Sequence, residues 1–118
     1  MSLTYINYKG KKIILIDYTQ CKTIQDTLNV LEMVKDEYMK SSENFLALND
    51  FTGAPSNNEY MDKAKKYAKE LFDAKTIRNA CIGITGIKKI LLSAYNLTVK
   101  NKLMPFDTKE EALEFLVK

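Results

Sequence analysis

Hydrophobic and polar positions along the chain follow two rhythms, a period of two and a period near 3.6, and the rhythm changes at turn residues. Thr4 to Tyr8 and Ile13 to Tyr18 are apolar, β-branched or aromatic, with Lys9-Gly10-Lys11-Lys12 between them, which predicts a β-hairpin. In the first run Tyr5 and Asn7 point one way and Ile6 and Tyr8 the other, as in an edge strand. The second is apolar at Ile13, Ile14, Leu15 and Ile16 in succession, which predicts burial on both faces. Thr23 followed by Asp26 is an N-cap signal, and Ile24, Leu28, Leu31, Val34 and Tyr38 then line one helix face up to about Lys40. Phe45 to Asp50 reads as a further, nearly continuous apolar strand. Thr52-Gly53-Ala54-Pro55 breaks the chain, Ser56-x-x-Glu59 predicts a capping box, and Tyr60, Ala64, Tyr67, Ala68 and Leu71 make a second helical stripe.

The next segment turns abruptly from strand to helix. Ala80 to Thr85 predicts a buried strand, Thr85-Gly86 a turn, and Ile87, Ile90, Leu91 and Ala94 recur at helical spacing. Leu92 and Tyr95 fall off that stripe, so this helix is apolar nearly all round and calls for a second covering layer or another subunit. It frays near Asn96. Lys102 to Phe106 predicts a short last strand whose Pro105 suits an edge, and Thr108-x-x-Glu111 opens a terminal helix with Ala112, Leu113, Leu116 and Val117 inward. The order ββαβαβαβα predicts an α/β domain over residues 1–118: a mostly parallel five-stranded sheet with an antiparallel N-terminal hairpin strand and four helices.

Composition narrows the function classes. The chain has 118 residues, 46% hydrophobic and 28% charged, the balance of a folded domain able to bury a core without staples. Its net charge of +3 comes from 18 basic and 15 acidic residues, but Arg78 is the single arginine. Base readout and phosphate clamping lean on the planar arginine fork, so no nucleic-acid partner is expected and the lysines read as a solvated coat. No apolar run reaches the roughly 18 residues of a membrane span. Lys9 to Lys12 before Ile13-Ile14-Leu15-Ile16 superficially resembles a signal peptide, but Asp17 ends the apolar stretch, so a cytoplasmic location without membrane insertion is expected. Cys21 and Cys81 lie far apart and form no metal or redox spacing, which fits a reducing compartment.

Histidine is absent, which removes the Ser-His-Asp and Cys-His arrangements, the H-E-x-x-H zinc site and the imidazole proton shuttle. No enzyme activity, catalytic residue, cofactor or resident metal is expected. Asp17, Asp50 and Asp107 each end a predicted strand, where oxygen ligands would suit Mg²⁺, but an Asp there is commonly turn chemistry and no phosphate-binding glycine pattern accompanies the three. Cys81 reads as a buried inert thiol and Cys21 as a loop thiol with only Lys22 nearby to activate it. Three of the four predicted helices carry acids in their first turn, namely Asp26, then Glu59, then Glu110 and Glu111. The helix after Gly86 carries Lys88 and Lys89 there instead, against the sign of the helix dipole. Thr85, Gly86, Lys88 and Lys89 are therefore a candidate site for a phosphate, a sulphate or a partner's carboxylate.

The element order, the Lys9-Gly10-Lys11 hairpin, the strand ending Leu48-Asn49-Asp50-Phe51-Thr52, the segment Ile82-Gly83-Ile84-Thr85-Gly86-Ile87-Lys88-Lys89 and the ending from Pro105 to Leu113 together resemble small bacterial proteins of the STAS class. That class is named for sulphate transporters and anti-sigma-factor antagonists, and its fold is shared with CRAL-TRIO lipid-transfer domains. The resemblance covers nearly the whole chain. It implies a STAS-like fold and a non-catalytic regulatory or protein-interaction domain with a protein partner; the alternative is a small-molecule, anion or lipid-binding domain. The homodimer is expected instead from the helix of Ile87 to Tyr95, apolar nearly all round. Antagonist members carry an Asp-Ser-Ser-Gly phosphoacceptor after the strand matching Phe45 to Asp50. Here the chain departs to Gly53-Ala54-Pro55-Ser56-Asn57-Asn58-Glu59, so the resemblance leaves Ser56 and Thr52 as the candidate phosphoacceptors.

Overall fold

Why the chain opens as a tight hairpin is visible at its turn. Strands β1 (Leu3–Tyr8) and β2 (Lys11–Asp17) are joined by Lys9 and Gly10, both at positive φ, 51° and 81°. Two left-handed residues match the right-handed twist of the flanking strands. In this computed structural model, which describes residues 2–118, helix α1 (Ile24–Lys40), strand β3 (Phe45–Asp50), helix α2 (Asn58–Tyr67), strand β4 (Thr76–Ile82), helix α3 (Ile87–Asn96), strand β5 (Leu103–Phe106) and helix α4 (Lys109–Leu116) follow. Met1, the first residue of a Met1-Ser2-Leu3 start to which no role is assigned, lies outside the described residues.

The five strands lie in sequence order, β1-β2-β3-β4-β5. The β1–β2 pair is antiparallel and the rest are parallel. Crossovers that step the same way with the same hand put their helices on one face. Accordingly α1, α2 and α3 cover the face bearing Ile14, Ile16, Phe45, Ala47 and Cys81, while α4 returns to the other face over Ile13, Leu48, Ala80 and Ile82. This is why β2 and β3 are apolar on both sides. Consecutive strand order also leaves the sheet without a reversal point, the usual ligand crevice of open α/β sheets.

Caps fix the helix starts. Thr23 and Asp26 form the full capping box, and Thr108 Oγ1 accepts from Glu111 N at 3.2 Å. The box expected from Ser56 and Glu59 does not form: α2 starts one residue later, capped by Asn57, whose Oδ1 accepts from Tyr60 N at 3.0 Å. Asparagine caps as well as serine, and the helix buries Tyr60, Met61, Ala64 and Tyr67 together. Past Tyr67 the helix widens into a π-helical segment, Ala68–Phe72, and closes in a turn, Asp73–Lys75.

Two further expectations are corrected. β4 starts at Thr76 and ends at Ile82, not at Ala80 and Thr85. Polar Arg78 and Asn79 are tolerated in the strand because the Arg78 guanidinium donates to the Phe115 and Lys118 carbonyls at 3.1 and 2.6 Å, and Asn79 Oδ1 accepts from Asn49 Nδ2 at 2.8 Å. In α3 the buried residues are Leu92 and Tyr95, with Leu91 and Lys88 half-buried beside them. The expected inward residues Ile87 and Ile90 are instead 61% and 66% exposed, and Ala94 is exposed with them. A helix apolar on every side offers two stripes at 3.6-residue spacing, and the one carrying Tyr95 and Leu92 removes more apolar area from water than the one carrying Ala94.

Candidate functional site

The carboxyl ends of β2, β3 and β4, with the first turn of α3, gather most of the residues singled out in the sequence. Asp17 and Asp50 are register partners on adjacent strands and end them in the same way. Asp17 Oδ1 accepts from Thr19 N and Oγ1 at 2.8 and 2.6 Å, and Asp50 Oδ1 from Thr52 N and Oγ1 at 3.0 and 2.7 Å. Both are aspartate turns that hold the chain as it leaves the sheet. Asp107 is exposed after β5, and among the described residues no group of three or more Asp, Glu, Cys or His side chains is placed to hold a metal ion.

Thr52 is exposed, its hydroxyl committed to Asp50. Ser56 is half-buried and its hydroxyl points to the Met61 sulphur at 3.7 Å. Thr85, Gly86 and Lys89 are exposed around the start of α3. Gly86, at φ 58°, is the N-cap and supplies no side-chain cap, while the N–H groups of Lys88 and Lys89 bond to the Thr85 and Gly86 carbonyls, both at 3.1 Å. Lys88 turns away from that end. Its Nζ donates to the Phe51 carbonyl at 2.9 Å, and burial lowers its pKa, partly offset by the Asp50 carboxylate. Lys89 is thus the exposed ammonium of the pair.

Beneath α3 lies a narrow crevice that sequence reasoning did not find. Tyr95, Leu92, Leu91 and Ile84 face Tyr18, Phe51, Tyr60 and Met61, with Asn49 and Asn79 on the sheet as the floor. Tyr60 OH donates to Tyr18 OH at 2.8 Å, and Asn49 Nδ2 donates to Asn79 Oδ1 and the Ala80 carbonyl at 2.8 and 3.2 Å. Burial pushes both phenols, Tyr18 and Tyr60, well above their ordinary pKa. The free space is about 60 Å³, enough to hold water and far short of the roughly 300 Å³ at which drug-sized pockets begin. The available signal was Asn49, which interrupts the otherwise apolar run of β3.

Neither thiol is activated. Cys21 is buried in the loop after β2, its pKa raised by burial and then by the Asp26 and Asp17 carboxylates. Burial raises the Cys81 thiol from its ordinary 9.0 to about 12. A raised folded pKa means stability that is complete below pH 9 and lost as pH rises toward 12, because the unfolded chain releases the proton first, at about 1.4 kcal/mol per pH unit for one group. Urea midpoints should therefore fall between pH 9 and 11, and Cys81→Ala should lower stability at pH 7 while flattening that slope by about one proton. An unchanged slope would show that the thiol titrates normally in the fold.

No family model matches the chain, and no curated protein is similar to it. Among solved structures it is similar to that of an uncharacterized protein of the DUF3478 family with a SpoIIAA-like fold, from Shewanella loihica PV-4. The match has a TM-score of 0.68 over 97% of this chain and 91% of that one, at 17% identity. This chain has a SpoIIAA-like fold. The STAS-like architecture expected from the sequence holds, including the antiparallel first strand and the four helices. Among the described residues, no helix is long and apolar enough to cross a membrane.

Proposed function

We propose that this SpoIIAA-like domain is a non-catalytic, regulatory interaction module that binds an acidic, apolar segment of a partner protein along the outer face of α3. The observation that carries the reading is the exposure of Ile87, Ile90 and Leu97, at 61%, 66% and 86%, on one side of a helix whose other side fills the core. Single exposed apolar residues are ordinary, but a contiguous stripe is the usual mark of an interface. Lysines flank it: Lys89 sits in the first turn, where there is no acid, and Lys102 Nζ donates to the Asn96 carbonyl at the far end, at 2.6 Å. The positive end of the helix dipole at Gly86 adds to the same sign, so Thr85, Gly86 and Lys89 suit a partner carboxylate. Thr52 and Ser56 are the proposed phosphoacceptors. A phosphate on Thr52 would lie against the Asp50 carboxylate and repel it, opening the aspartate turn beside Phe51 and Lys88.

Affinity capture from the native cell extract, followed by titration with the captured protein, tests this. An Ile87→Asp, Ile90→Asp double variant is expected to weaken binding about 30-fold or more, the effect of losing a ~2 kcal/mol hot spot. Unaltered affinity, or turnover of a small substrate with no stoichiometric partner, would remove the proposal.

A second reading, a small-molecule or lipid binder, is favoured by the crevice, whose Tyr18, Tyr60, Tyr95, Asn49 and Asn79 offer polar groups among apolar walls with Lys88 at the edge. Its present volume is well below that of a drug-sized pocket, so a ligand of that size requires the crevice to widen. Titrating decanoate and, separately, inorganic phosphate while following the amide signals of Asn49, Asn79 and Thr85 to Lys89 separates a crevice ligand from a surface anion. Unmoved signals with both would retire this reading.

A further inference from the structure

The two edges of the sheet are finished differently. β5 is four residues long, contains Pro105 and follows Lys102, all features that discourage another strand from pairing. β1 has none of them. Its six residues, Leu3-Thr4-Tyr5-Ile6-Asn7-Tyr8, include no charge and no proline, and its register with β2 runs unbroken from Leu3↔Ile16 to Tyr8↔Lys11. The phase of the ladder is set at its start, where the Ser2 carbonyl accepts from Asp17 N at 2.7 Å. Alternate residues of an antiparallel strand bond to the same neighbour, so Ser2, Thr4, Ile6 and Tyr8 are committed to β2. The N–H and C=O groups of Leu3, Tyr5 and Asn7 therefore point out of the sheet. The strand is also held in place: Tyr5 OH donates to Glu37 Oε2 at 2.6 Å, Lys12 Nζ lies 4.4 Å from the Tyr5 ring centroid, and Tyr8 OH and Lys9 Nζ both bond to Glu114.

We propose that β1 pairs antiparallel with β1 of a second copy of this chain, about a two-fold axis at Tyr5, so that the two five-stranded sheets become one. An axis normal to the sheet keeps each face on its own side, so opposed residues share parity: Tyr5 meets Tyr5, Leu3 meets Asn7 and Thr4 meets Ile6. The outward groups of Leu3, Tyr5 and Asn7 then form about six backbone hydrogen bonds, two in each of three hydrogen-bonded pairs. An axis at Ile6 would bring only Tyr5 and Asn7 together and set Leu3 against Lys9 in its left-handed turn, with about four. The second copy is the occupant the charges select. Every opposed side chain of β1 is neutral, the two-fold carries Lys9 and Lys11 to opposite ends of the seam, and Lys12, over the Tyr5 ring near the axis, is paired with Glu43 at 3.5 Å. A seam of this size buries less than the roughly 800 Å² per partner of a standard interface, so the dimer is weak, with a dissociation constant on the order of 100 µM.

Sedimentation equilibrium of the whole chain from about 10 µM to about 1 mM reads the effect at concentrations bracketing that constant. The mass is expected to rise from 13.6 kDa toward twice that value. Tyr5→Pro removes an N–H that faces away from β2, so the β1–β2 ladder keeps its bonds and the dimer is lost. Tyr5→Lys keeps every N–H but sets two ammonium groups opposite each other at the axis; it should weaken association about tenfold or more, and partly recover in high salt. Tyr5→Lys decides the matter if Tyr5→Pro does not fold by circular dichroism. Ile90→Asp, on the partner-binding face of α3, should dimerise as the wild type does. A wild type that stays monomeric throughout, a Tyr5→Lys that associates normally, or a dimer lost only in Ile90→Asp would each overturn the proposal, the last by placing the contact on α3.

Discussion

Gly83→Ala is expected to destabilise the domain by roughly 3 kcal/mol, combining the cost of a β-carbon at positive φ with that of overpacking against backbone. Gly83 sits at φ 81°, and a β-carbon there would lie 2.3 Å from Thr52 N, 2.5 Å from Thr52 Oγ1 and 2.6 Å from Thr52 Cα. The obstacle is main chain on one side and a hydroxyl already bonded to Asp50 on the other, so neither gives way cheaply. The same crossing is stitched by Phe51 N donating to the Ile82 carbonyl at 3.0 Å. Gly53→Ala is the control, because Gly53 has a similar φ of 74° but nothing within 4 Å of its added β-carbon. It should cost only the conformational strain, about 1 kcal/mol. Urea denaturation measures both, and equal losses would mean that the contact with Thr52 relaxes freely. The close approach also aligns the Phe51 carbonyl that receives Lys88 and the aspartate turn at Thr52.

What was legible in the sequence is what local chemistry alone determines. The capping box at Thr23 and Asp26, the edge proline at Pro105 and the continuous apolar runs of β2 and β3 need no knowledge of neighbours, and all appear as expected. The failures occur where two local solutions were equally good or where a distant group decides. Ser56 and Asn57 are both competent caps, and Asn57 takes the role while the Ser56 hydroxyl points to the Met61 sulphur. Polar Arg78 and Asn79 fall outside the expected strand because the Phe115 and Lys118 carbonyls and the Asn49 amide that satisfy them come from across the fold. The crevice beneath α3 is lined from α1, α2, α3 and strands β2 to β5, and its asparagine floor joins residues of two strands. The site around Gly86 was read from an inverted charge pattern, yet Lys88 reaches sideways to Phe51 because a long stem can lie along apolar surface and deliver its head to a carbonyl.

The orientation of α3 yields the other large effect. Tyr95→Ala should cost roughly 3–5 kcal/mol and Leu92→Ala roughly 2–4, since both side chains are core residues at 6% and 7% exposure and truncation leaves a cavity as well as lost transfer energy. Ile90→Ala should change stability by less than about 0.5 kcal/mol, because its side chain is 66% exposed and alanine is the better helix former. Thermal or urea denaturation of the three variants settles the direction of the helix, and an Ile90→Ala loss as large as that of Leu92→Ala would mean that the opposite stripe faces the sheet in solution. The contrast bears directly on function. If Ile87, Ile90 and Leu97 add nothing to the stability of the isolated domain, folding does not explain an apolar stripe held in water, where it raises the tendency to associate. The remaining explanation is a surface that is covered part of the time, and the neighbouring Lys89 and the uncapped start of the helix at Gly86 favour a cover that brings its own negative charge.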